Sequence, residues 1–143
     1  MPYEFLEDVA TADIAFRAWG KDLQEIFISS ADATMNVMVE NLDSIQPQEK
    51  REIKLENEGL DMLLFNFLQE LIYYKDSEKL LLRVKQVEIK GKDQHHLLEA
   101  MVVGEEIDLH RHHTRVDVKA VTLHRFRLEK TDQGWKVFII LDI

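Results

Sequence analysis

Trp135-Lys136-Val137-Phe138-Ile139-Ile140-Leu141-Asp142-Ile143 closes the sequence as an apolar run with a single acid at its next-to-last position. Aromatic and β-branched residues at this density read as a buried strand. A matching run stands near the start, Thr11-Ala12-Asp13-Ile14-Ala15-Phe16-Arg17-Ala18-Trp19, and it too holds one acid, Asp13. Chains commonly finish in a polar, frayed tail. Here the final carboxylate is expected to be held within the structure, beside Asp142. Two isolated acids in two core strands, one next to a terminal carboxylate, point to a small hard-cation site.

Outward from these strands the rest of the chain falls into place. Ile14, Phe16 and Ala18 alternate with Asp13, Ala15, Arg17 and Trp19, and Gly20 ends the strand. Asp22 can cap a helix, with Glu25 three residues on in a capping-box pattern. Behind it Leu23, Ile26, Phe27, Ala31, Met35 and Met38 form one apolar stripe. Asn41 to Pro47 reads as a loop and Lys50 to Glu56 as a strand. Leu60, Leu63, Leu64, Phe67, Leu68, Leu71 and Ile72 predict a second helix that ends near Lys75-Asp76-Ser77. Strands then follow: Leu80 to Ile89, His96 to Gly104, Val118 to Leu128 and Trp135 to the end. A shift of apolar phase between Val84 and Val87 predicts a bulge. Lys90-Gly91-Lys92-Asp93 and Lys130-Thr131-Asp132-Gln133-Gly134 carry hairpin-turn chemistry.

The order is strand, helix, strand, helix and then about four strands, a count read from periodicity. This is an α+β fold: two amphipathic helices packed on a largely antiparallel sheet. The 143 residues are expected to form a single domain over 1–143, since no repeat, low-complexity run or linker interrupts them.

Composition limits the chemistry. Twenty-seven acids against eighteen Lys and Arg give a net charge of −9. Such a surface repels phosphate, so autonomous nucleic-acid binding is not expected, and docking onto a basic partner is favoured. The absence of cysteine removes disulfides, thiolate nucleophiles and thiolate zinc sites. The early acids, without a basic leader or a long apolar window, suggest a cytoplasmic protein that does not enter a membrane. There is no P-loop, no G-x-G-x-x-G and no nucleophile elbow.

Three groups of residues remain. For Asp13 and Asp142, the structural alternative is that each is solvated or paired with Arg17 or a lysine. Otherwise an unpaired carboxylate in a core strand costs several kcal/mol, about the scale of a lost buried ion pair. Oxygen ligands of this kind suit calcium or magnesium rather than zinc. Asp108-Leu109-His110-Arg111-His112-His113 resembles a metal tract, with His95-His96 upstream. Arg111 opposes cation binding there, so a solvated, sequence-tolerant loop is expected. In Lys119-Ala120-Val121-Thr122-Leu123-His124, a regular strand puts Thr122 and His124 on one face, and Lys119 joins them only through a bulge or from the strand end.

With those motifs in order, the whole chain resembles the archease family. The resemblance is carried by Phe5-Leu6-Glu7 leading to Thr11-Ala12-Asp13-Ile14 and Arg17-Ala18-Trp19-Gly20-Lys21, by Val118-Lys119-Ala120-Val121-Thr122-Leu123-His124, and by Trp135 with the final Asp142-Ile143. It implies a non-catalytic accessory protein that promotes guanylylation and multiple turnover of the GTP-dependent tRNA-splicing RNA ligase. It also implies a divalent-cation site at Asp13, Asp142 and Ile143, usually holding calcium, with magnesium or manganese as alternatives. Lys119, Thr122 and His124 are then the partner-facing residues. The family usually reads E-H-T-A-D where this chain has Glu7-Asp8-Val9-Ala10-Thr11-Ala12-Asp13, so that histidine has no counterpart here. Two other classes fit the bare residues. A stand-alone metal-dependent hydrolase would turn over a substrate alone, and a general holdase-type chaperone would suppress aggregation of unrelated proteins.

Overall fold

A computed structural model describes residues 2–6, 13–92 and 94–143. In chain order the elements are β1 (Tyr3–Leu6), β2 (Asp13–Gly20), α1 (Leu23–Met38), a 3-10 turn at Leu42–Ser44, β3 (Glu49–Asn57), α2 (Leu60–Glu78), β4 (Leu80–Lys92), β5 (His95–Glu106), β6 (Ala120–Val121), β7 (Arg127–Thr131) and β8 (Gly134–Asp142). The α+β class is as expected, with two helices on antiparallel strands. The strands divide between two sheets. One runs β1-β2-β8-β6, with β7 also paired to β8, and the other runs β3-β5-β4.

Three features depart from the periodicity reading. The short β1 precedes β2 and pairs with it, Phe5 opposite Phe16. The expected strand from Val118 to Leu128 is broken into β6 and β7 by a turn at Leu123–Phe126, where the Phe126 N–H donates to the Leu123 carbonyl at 3.1 Å and Arg125 takes φ 57°. The expected turn at Lys90-Gly91-Lys92-Asp93 falls later, because β4 continues through Lys92 and β5 begins at His95, while Asp93 lies outside the described residues. The predicted bulge is present, as a register shift between Val84 and Gln86 against β5.

Local chemistry explains the helix boundaries. The Asp22 carboxylate accepts the Glu25 N–H at 2.9 Å and starts α1. Lys79, at φ 57°, ends α2 in the left-handed conformation. Leu63, Leu64, Phe67, Leu68 and Leu71 of α2 are wholly buried, each contributing about 1.5–3 kcal/mol by removal from water. The Phe67 ring meets Phe27 of α1 with centroids 6.0 Å apart.

Helix α1 packs against both β2 of one sheet and β4 of the other, so its burial extends well beyond the single stripe that the sequence showed. Ser30 and Thr34 are fully buried there, and their hydroxyls donate to the carbonyls of Ile26 and Ser30 at 2.7 and 2.9 Å. That local bonding lets polar residues sit inside the layer without orphaned groups.

The β7–β8 hairpin turns at Asp132-Gln133 into Gly134, whose φ is 138°. A Cβ at Gly134 would lie 2.2 Å from the Gly20 carbonyl oxygen. Only glycine fits there, and the close approach fixes the start of β8 against the end of β2. Among the described residues, no helix is long and apolar enough to cross a membrane.

Candidate functional site

The register of β2 against β8 organises the site. Ile14 opposes Leu141, Phe16 opposes Ile139 and Ala18 opposes Val137, and all six belong to the main core or pack against it. Alternation therefore sends the intervening pairs to the other face of the sheet. Those pairs are Asp13 with Asp142, Ala15 with Ile140, Arg17 with Phe138 and Trp19 with Lys136. The two acids singled out in the sequence are thus direct cross-strand neighbours. Their Cβ atoms sit about 5 Å apart in such a pair, and like charges so placed repel.

Nothing basic relieves that repulsion among the described residues. Arg17 turns instead to Glu4, at 3.8 Å. Both acids are half-buried, and neither carboxylate enters an ion pair or a side-chain hydrogen bond with a described residue. No three His, Asp or Glu side chains converge as a cage among the described residues. A cation here would take two carboxylates and complete its shell with other oxygens, which suits calcium or magnesium. The Ile143 side chain packs against the core beside Leu141.

The third strand completes the surroundings. Ala120 is the register partner of Asp142, yet the Lys119 N–H donates to the Asp142 carbonyl at 2.8 Å. Two successive residues addressing one is the arrangement of a β-bulge. It also explains why Val118 and Val121, three apart, both reach the core. Lys119 thereby shares the Asp142 face with Ala120, by the bulge route. Thr122 follows, its N–H donating to the Ile140 carbonyl at 3.0 Å. The Thr122 hydroxyl is buried and, among the described residues, has no hydrogen-bond partner. By alternation this hydroxyl lies on the same face of the sheet as Asp142, two residues along from its register partner Ala120.

His124 differs from expectation. The strand has already ended, and His124 is exposed in the Leu123–Phe126 turn. Regular alternation does not couple it to Thr122. The Glu7-to-Thr11 approach to Asp13, including the departure from E-H-T-A-D, lies outside the described residues.

The histidine tract gives a clear correction. The tract is anchored rather than solvated and tolerant throughout: Leu109, His110 and His113 are exposed, but His112 is 1 % exposed. Its Nδ1 accepts the Asp108 N–H at 2.9 Å, so Nε2 carries the proton and donates to Glu105, 3.1 Å away. Glu105 also accepts from the Gln46 N–H at 2.6 Å and from Arg111, whose other arm donates to the Ser44 carbonyl at 2.7 Å. The Arg111 hydrogen bond, outweighing burial and aided by Gln46 and His112, lowers the Glu105 pKa to about 2. This is a structural clamp that sequence spacing missed, since its acid lies on β5 and only the tract's bases were in view.

The same outer face runs on, past Arg17 and Phe138, into an open groove of about 1330 Å³ that includes Trp19, Trp135 and Arg125. The Arg125 guanidinium stands 4.8 Å from the Phe138 ring centre.

Comparison with known proteins gives the family and the fold. The model of the archease protein family matches residues 3–143. The chain belongs to the archease family. It is 37% identical to the archease of Pyrococcus abyssi over 134 residues, covering 93% of this chain and 94% of that one. The solution structure of protein 1598 of Methanobacterium thermoautotrophicum superposes with a TM-score of 0.85 at 34% identity and 99% coverage of both chains. A Thermotoga maritima archease, described as a possible chaperone, shares the fold with a TM-score of 0.61 at 16% identity and 98% coverage of both chains. The family resemblance read from Asp13, the Lys119–His124 motif and Asp142-Ile143 is therefore shown, over nearly the full length.

Proposed function

We propose that this protein is a non-catalytic accessory factor of the GTP-dependent tRNA-splicing RNA ligase, acting through a divalent-cation site at Asp13, Asp142 and Ile143. The observation that carries this reading is the face-to-face placement of Asp13 and Asp142 without a basic partner among the described residues. A bare pair of this kind is unfavourable as a purely structural device. The donor set is all oxygen, and the orphaned Thr122 hydroxyl lies on the same face of the sheet.

A bound cation would supply positive charge to phosphate groups that gather during nucleotidyl transfer. The chain's own residues do the rest. Asp13 and Asp142 hold their carboxylates at a spacing fixed by the β2–β8 ladder. Lys119, whose N–H bonds the Asp142 carbonyl, and His124, in the turn that follows β6, are both exposed and can meet an anionic or polar surface of the ligase. The net charge of −9 favours approach to a ligase whose RNA-binding face is basic.

The test is a ligase guanylylation time course, followed by multiple-turnover ligation, with and without this protein. Stimulation is expected with the wild type and is lost in Asp13→Ala and Asp142→Ala, both folded by circular dichroism. Equal stimulation by the alanine variants would remove the site from the mechanism. The same preparations, incubated alone with divalent ions and phosphate esters, are expected to show no turnover.

A further inference from the structure

The third strand of the site, β6, is two residues long, and β8 pairs with only one of its edges. So short a ladder does not hold a segment by itself. Its other edge is held by α2. Gln69 Oε1 accepts the Val121 N–H at 2.9 Å, standing where a neighbouring strand's carbonyl would be. One and a half turns further along the same helix, Lys75 is 5 % exposed, and its ammonium donates to the Val118 carbonyl at 2.8 Å and to Asp117 at 2.5 Å. Asp76, 2.6 Å away, completes its surroundings. Burial opposes the Lys75 charge, but the bonds to Asp117 and Asp76 outweigh it and raise its pKa.

These contacts bracket the bulge. Lys75 fixes the residues just before Lys119 and Ala120, and Gln69 fixes the residue just before Thr122. We infer that Gln69 and Lys75 of α2 are positioning residues that set the Lys119–Thr122 segment against Asp142, and so set the geometry of the cation site from the helix layer. The inference rests on the cation reading above. Gln69 acts purely as an acceptor toward Val121, so a carboxylate at that position can replace it, whereas an apolar side chain of similar size cannot. Lys75 acts as a donor to a carbonyl, so a side chain that keeps the length but loses the ammonium cannot replace it.

The test titrates the full-length protein with calcium by calorimetry. Gln69→Leu is expected to weaken calcium binding several-fold, less than the roughly tenfold or more that follows loss of a group bonded directly to a ligand, because Gln69 acts through Val121. Gln69→Glu is expected to bind like the wild type, with both variants melting in EDTA within a few degrees of it. Lys75→Met should weaken binding as Gln69→Leu does, and if it does not fold, Asp117→Asn weakens the same tie. Calcium affinity unchanged in Gln69→Leu, or lowered equally in Gln69→Glu, would overturn the inference. If the wild type binds no calcium, the cation reading fails by itself. Hydrogen exchange at the Val121 and Thr122 amides then decides the positioning role, with faster exchange in Gln69→Leu supporting it and unchanged protection overturning it.

Discussion

Two acidic sites sit at opposite ends of a scale of satisfaction. Glu105 is buried, and an arginine, a histidine and a backbone N–H all donate to it. Asp13 and Asp142 are half-buried, face each other and meet no base among the described residues. The first arrangement has its full complement of donors and holds the Leu42–Ser44 turn and the Asp108–His112 turn onto β5. The second is short of positive charge by construction. The two arrangements therefore make opposite demands: the first is complete as it stands, and the second is the one at which the proposed cation would relieve a repulsion.

The contrast can be broken first at the clamp. Glu105→Ala leaves a buried histidine, an arginine arm and an N–H without their acceptor, and should cost about 3 kcal/mol, the scale of a broken buried pair, in urea denaturation at pH 7. The pH dependence follows from the same group. Its folded pKa, about 2, lies below the ordinary 4.5. Its contribution is therefore complete above pH 4.5 and is lost as pH falls toward 2. Wild-type stability should fall across that window, and Glu105→Gln should flatten the slope.

The next effect is at the aspartates. Calcium at about one hundred times its dissociation constant should stabilise the wild type by about 2.7 kcal/mol, read as a rise in Tm over EDTA. Asp142→Asn should abolish that rise. A wild type that melts identically in calcium and EDTA would erase the difference between the two acidic sites.

Smaller effects sharpen the comparison. Thr122→Val removes a buried hydroxyl without a partner, so in EDTA it should be neutral or stabilising by up to about 1 kcal/mol. A loss of that size in denaturation would mean the hydroxyl is satisfied after all. Asp13→Asn in EDTA should gain about 0.5 kcal/mol by removing the like-charge pair. Together these two variants would show a site that is slightly unfavourable when empty and favourable when filled, the reverse of the clamp.

Much of this was legible in the sequence, for reasons that can be traced to particular residues. The two helices announced themselves through Ile26, Phe27, Met35 and Leu63 to Ile72, because burial on one side imposes a period. Asp13 and Asp142 stood out because an acid inside an apolar strand needs a partner. Their direct opposition was not legible, since register is a property of two strands together. Nor was the break between β6 and β7, where the left-handed Arg125 carries the chain off the ladder without a glycine to signal it. His112 looked like surface because its partner Glu105 lies on β5, and Glu105 and Arg111 are in turn tied to Gln46 and Ser44, 59 and 67 residues away in the chain. The division into two sheets was hidden for the same reason. Alternation says which face a residue takes but not which neighbour it pairs with.

Helix α1 lies against both sheets at once, with nearly every side chain from Ile26 to Met38 enclosed. Neither sheet can peel away without stripping that helix of half its packing, so the two layers share one melting transition rather than two. The amide hydrogens of Phe27 to Val37 should then exchange only when the entire chain opens, making them the slowest clock in the molecule.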